Sequence, residues 1–136
     1  MPESTKLMFV FHHIENIKDN PRATKAYRAR IALSDQDFER LASLAREHER
    51  EVADMDRRAK EIIDAYHAEY PQGHMRPGVI PPAPPEELRE LQRLRDATSL
   101  RYGDLLTTQI GEDGTRRFNE FLSREFNSPS PRVEVK

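Results

Sequence analysis

The chain of 136 residues contains no cysteine and no tryptophan. Without cysteine there can be no disulfide, no thiolate metal site and no cysteine nucleophile. Its 36% hydrophobic content is low for a globular domain, so a thick core is excluded. No apolar run approaches the roughly 20 residues that a membrane-spanning helix needs. The longest apolar start, Leu7-Met8-Phe9-Val10-Phe11, is followed by His12-His13 and Glu15 with no small-residue cleavage site, a poor signal peptide as written. Whether a leader precedes residue 1 stays open, and with it the choice between an extracytoplasmic and a cytoplasmic location. The 22 basic and 24 acidic residues are interleaved, so no basic face marks the chain for nucleic acid.

Charge and helical periodicity are abundant. Charged residues make up 34% of the chain, a composition suited to long helices that bury one stripe and solvate the rest. The spacing predicts an all-α protein: a long antiparallel helical hairpin with helices over residues 35–70 and 86–110, flanked by short N- and C-terminal helices. One helical domain is expected over residues 1–126, with a disordered tail at 127–136.

The first long helix has a clear start. Ser34 can cap the amide of Asp37, Asp35 and Asp37 place negative charge at the positive helix end, and Leu33 and Phe38 can clasp the entry. Apolar positions then alternate by three and four: Phe38, Leu41, Ala45, His48, Val52, Met55, Ala59, Ile62, Tyr66. Such a seam packs lengthwise against a partner helix. Spaced charges on the outer face (Arg50 with Asp54, Asp56 with Lys60, Arg57 with Glu61, Lys60 with Asp64) support helicity rather than the fold.

Pro71 is expected to stop this helix. Residues 71–85 hold six of the ten prolines and read as a stiff connector with polyproline character. The second long helix carries Leu88, Leu91, Leu94, Ala97, Thr98, Tyr102, Leu105, Leu106 and Ile110 on its stripe, with Gly103 inside it. Residues 111–114 are expected to break the chain before a last helix near 115–126. At the N-terminus residues 1–5 should fray, a helix should run over 6–18, Asp19-Asn20-Pro21 should interrupt, and a second helix should run over 22–33.

Candidate chemistry is sparse. His48 sits on the seam and reads as a buried polar residue that sets register. Asp64 and His67 share a helical face, but a di-metal bundle needs a second such motif and further carboxylates. His12 and His13 point about 100° apart on a helix and chelate one ion poorly. Ser34, Ser43, Ser99 and Ser123 have no catalytic motif around them, and no phosphate loop or dinucleotide fingerprint occurs. No enzymatic activity, metal or cofactor is therefore expected. Protein contact is expected at Phe9, Phe11, His48, Val52, Met55, Phe118 and Phe121. Two long helices alone make a thin ribbon, so terminal helices or a second subunit should cover it, and a homodimer is expected.

Two segments carry a resemblance. Tyr27-Arg28-Ala29-Arg30-Ile31-Ala32-Leu33-Ser34-Asp35-Gln36-Asp37-Phe38 and the Gly111-Glu-Asp-Gly-Thr-Arg-Arg-Phe-Asn-Glu-Phe121 ending, with the helix–connector–helix order between them, resemble a group of bacterial helical-hairpin proteins of uncharacterised function. In architecture the chain is also similar to periplasmic proteins of the Spy and CpxP type. Their Leu-Thr-x-x-Gln helix start is matched here by Leu33-Ser34-Asp35-Gln36, with Gln one position early. That resemblance implies a dimeric, ATP-independent, chaperone-like role at the cell envelope. Three functions are thus open: a protein-binding, chaperone-like module; a structural or adaptor subunit that assembles with itself or a fixed partner; and a metal-binding bundle.

Overall fold

The computed structural model describes residues 1–69 and 85–127, without the side chain of Asn127. Every described element is helical: α1 (Glu3–Ile17), α2 (Pro21–Ile31), α3 (Asp35–Glu69), α4 (Glu86–Leu122) and a π-helical turn (Ser123–Asn127). The proline-rich connector, the stop at Pro71 and the tail beyond 127 lie outside the described residues.

Helix boundaries follow local hydrogen-bond chemistry. α1 begins at Glu3, three residues before the expected start, because the Pro2 carbonyl accepts the amides of Thr5 and Lys6. Ser4, expected to fray, is covered. Pro21 opens α2 instead of merely breaking the chain: a missing N–H is harmless in the first turn, and the Asn20 side chain accepts from the Ala23 amide at 3.1 Å. Ala32 takes the left-handed conformation (φ 66°) that ends α2. Arg117 and Arg124 then donate to the carbonyls of Ala32 and Arg30. The cap of α3 is as the sequence indicates, with Asp37 N–H donating to Ser34 Oγ at 3.1 Å.

The expected break at 111–114 contracts to one residue. α4 kinks at Gly111 (φ 77°, ψ −173°) and is helical on both sides. No separate terminal helix is needed, because a single non-helical residue turns the chain enough to carry Phe118, Phe121 and Leu122 into the core.

The core lies at one end of the molecule. Leu7, Val10, Phe11 and Ile14 of α1 meet Phe38, Leu41 and Ala45 of α3, and Leu106, Phe118 and Phe121 of α4. Phe11, Phe118 and Phe121 are at most 2% exposed. Each contributes about 2–3 kcal/mol by burial, more than an exposed ion pair supplies. This end is the head.

Beyond the head, α3 and α4 continue as an arm. Partners on α4 fall in number as those on α3 rise: Arg40 with the Gln109 carbonyl, Glu51 with Tyr102, Asp56 with Arg95, Arg58 with Glu87. Ion pairs along the arm differ in part from the expected ones. Lys60 does pair with Asp64, but Arg57 pairs with Asp54, and Asp56 reaches across to Arg95. Within residues 53–69 and 85–97 only Ile62 is buried.

Candidate functional site

Two features stand apart from ordinary packing: a buried polar relay in the head and an apolar groove on the arm.

The relay is built by three helices. His48, on the α3 seam, is 0% exposed and sits 4.7 Å from the Phe11 ring and 5.6 Å from the Tyr102 ring. Its Nε2 lies 2.8 Å from Ser99 Oγ on α4, and its Nδ1 lies 3.0 Å from Glu49 Oε2. The other Glu49 oxygen meets His12 Nδ1 of α1 at 2.9 Å. A carboxylate only accepts, so Nδ1 of both rings donates to Glu49. In neutral His48 that leaves Nε2 to accept from the Ser99 hydroxyl. Burial pushes the Glu49 carboxyl up, but the hydrogen bonds it accepts from His48 and His12 outweigh it and hold it below its ordinary value.

The order Ser99–His48–Glu49 is that of a nucleophile, base and orienting acid. In this setting the Ser99 hydroxyl is covered on all sides. Ser99 is 1% exposed, and it lies inside α4, where backbone amides are bonded within the helix and give no oxyanion hole. The relay instead ties α1, α3 and α4 together. Ser99 was not legible as a partner, because it is 51 residues from His48. It also lies off the apolar stripe expected for α4, next to Thr98, so no spacing pointed to it.

A pH prediction follows. A carboxyl held below its ordinary value stabilises the fold above that value, and the stabilisation is lost as the pH falls through it. Wild-type stability is therefore expected to drop as acid titrates Glu49 below the ordinary range of about 4.3. Glu49→Gln should be less stable at neutral pH and should show a shallower drop in acid. Thermal melts of both proteins across pH check this, and parallel pH profiles would refute it.

The other histidines do not converge. His13 packs its ring on Tyr27 at 4.6 Å, and His67 lies beside Tyr66. Asp64 is engaged by Lys60 rather than by His67. Among the described residues no three His, Asp or Glu side chains are grouped to hold a metal ion. His74 lies outside the described residues.

The residues expected to contact a partner divide sharply. Phe11, His48, Val52, Phe118 and Phe121 are at most 2% exposed and are consumed by the chain's own helices. They are covered because α1 and the end of α4 fold over the head. Phe9 is 44% exposed and stacks on Phe126 with ring centroids 6.1 Å apart. Met55 is half-buried and opens onto the arm.

There it lines a groove of about 420 Å³ with Ala59 and Ile63 of α3 and Leu88 and Leu91 of α4. Asp56 and Arg95 stand at its rim, Oδ1 to Nε 3.0 Å. The groove continues a furrow already filled in the head. Glu49, Asp56 and Ile63 are seven apart, as are Gln92 and Ser99, so each set shares one side of its helix. In the head α1 lies on that side, with His12 on Glu49. Gly103 makes room there, since a Cβ at this position would stand 2.7 Å from Leu7 Cδ1. No described element covers the same side of the arm. No family model, curated protein or solved structure matches the chain.

Proposed function

We propose that this protein is a non-enzymatic helical module that takes an amphipathic helix of a protein partner into the groove on its arm. In this reading α3 and α4 are the legs of an antiparallel hairpin, which the falling order of partners along α4 supports. The observation that carries the proposal is the continuity of the furrow. In the head it holds α1, a helix presenting Leu7, Val10, Phe11 and Ile14 at spacings of three and four. On the arm the same furrow stays apolar, with Met55, Ala59, Ile63, Leu88 and Leu91, and is open. A helix in a groove read through anchors at i, i+3, i+4 and i+7 is a recurring recognition mode. The sealed head supplies a rigid base, and the exposed arm supplies the contact. A chaperone-like role at the cell envelope is the broader form of this proposal, with many client helices in place of one.

A labelled synthetic amphipathic helix with leucines at those spacings is the probe, and a scrambled peptide of equal composition is its control. Wild type should bind the first in preference to the second. Ile63→Glu, at a site 39% exposed and therefore tolerant of charge, should weaken binding at least tenfold. Equal binding of both peptides, or an unaffected variant, would overturn the proposal.

A further inference from the structure

We infer that the helix taken by the groove is acidic along one flank, with carboxylates two turns apart that seat on Arg89 and Arg95. This rests on the groove reading above and names the chemistry of its partner.

The sign of the lining is the first support. Across residues 53–69 and 85–97, acidic residues outnumber basic ones by nine to six. The groove reverses that balance, with Arg89 and Arg95 against the one acid Asp56. Positive charge is thus gathered beside the apolar floor and outnumbered on the rest of the arm. A partner matched to both features is apolar on one stripe and acidic next to it.

The engagement of the cations is the second support. Away from the groove they are well used. Arg58 forks onto Glu87 with bonds of 2.8 and 3.0 Å and donates to Glu61 as well. Arg57 donates to Asp54 and Lys60 to Asp64, each at 2.7 Å. Pairing in the groove is looser. Arg89 meets Glu86 at 3.4 Å, with both side chains exposed. Arg95 Nη2 reaches Asp56 Oδ2 at 3.4 Å. Arg95 Nε stands 3.0 Å from Asp56 Oδ1 but is buried and makes no hydrogen bond. A guanidinium carries five N–H donors in a fork that fits a carboxylate bidentately. Both groove arginines therefore keep donors for a second carboxylate.

Spacing is the third. Arg89 and Arg95 are six residues apart, about 9 Å along α4. Two turns of a partner helix rise about 11 Å, a difference that long side chains absorb. Glutamates seven apart fall on one flank of a leucine stripe, which leaves the stripe to face the floor.

The test uses the full chain and two labelled peptides of identical composition. Both carry the same leucine stripe. One has Glu on the flank and Lys on its back, and the other exchanges them, so net charge is equal and only placement differs. The flank-Glu peptide should bind about tenfold tighter at low salt. That gap should shrink at and above about 0.1 M salt, where charges are screened beyond about 10 Å. Arg89→Glu lies at an exposed site in the first turn of α4, where an acid suits the helix end. It should abolish the preference, and Arg89→Lys should keep most of it. Equal binding of the two peptides, tighter binding of the flank-Lys peptide, or an unchanged preference in Arg89→Glu would overturn the inference. If charge placement has no effect while the leucine stripe still outbinds its scrambled control, the acidic partner is excluded and the groove reading stands. If the stripe has no advantage either, both fall.

Discussion

His48→Ala is expected to remove about 3–4 kcal/mol of stability and to lower the Tm by about 10 °C. The loss has two parts. The imidazole is fully enclosed by Phe11, Tyr102, Ser99 and Glu49, so its removal leaves a cavity that three helices cannot easily close. Glu49 also loses one of the two donors that hold it as a carboxylate in a half-buried place, and a polar group left without its partner costs about 1–3 kcal/mol. His12→Ala provides the contrast. It removes the other donor at a site 59% exposed, where water replaces the imidazole, so about 0.5 kcal/mol is expected. Chemical denaturation of the two variants checks the difference. Equal losses would mean that the buried ring carries no special share.

The second large effect is expected at Gly111. Its φ of 77° and ψ of −173° fall in a region essentially confined to glycine. Gly111→Ala should cost about 2–3 kcal/mol from backbone strain alone, since a Cβ there meets nothing within 4 Å. Gly111→Ser should cost about the same, because the penalty is conformational and not steric. Relief of that strain would straighten α4 and draw Phe118, Phe121 and Leu122 out of the core. A near-UV signal from the buried aromatic residues, together with the melting temperature, reads both effects. Gly103→Ala should do less damage, since the atom met is the end of the Leu7 side chain, which can turn aside.

These two positions show how far the sequence could be read. The start of α3 was legible because Ser34, Asp35 and Asp37 act within one turn, and the seam from Phe38 to Tyr66 was legible because its period is local. The all-helical class came from the same signals. The kink was legible only as a region, since Gly111, Glu112, Asp113 and Gly114 all resemble a break and only the tertiary pull of Phe118 and Phe121 selects Gly111. His48 was readable as a buried seam residue, but its partners were not. Ser99 and His12 lie on other helices, and no spacing rule joins them. Phe11, Phe118 and Phe121 looked like contact residues because large apolar groups at chain ends are equally suited to a core and to an interface. The covering of the head by α1 decides between these. The groove is what that covering leaves over.

The central claim is that the head is a sealed, stapled base and the arm an open surface that acquires a partner. Amide hydrogen exchange of the full chain, followed without and with the synthetic amphipathic helix, tests it most directly. Slow exchange is predicted in the head under both conditions, around His48, Ser99 and Leu106. Amides of residues 53–66 and 88–95 should exchange quickly in the chain alone and become protected when the peptide is added. Arm amides as slow as those of the head in the chain alone, or indifferent to the peptide, would contradict the account.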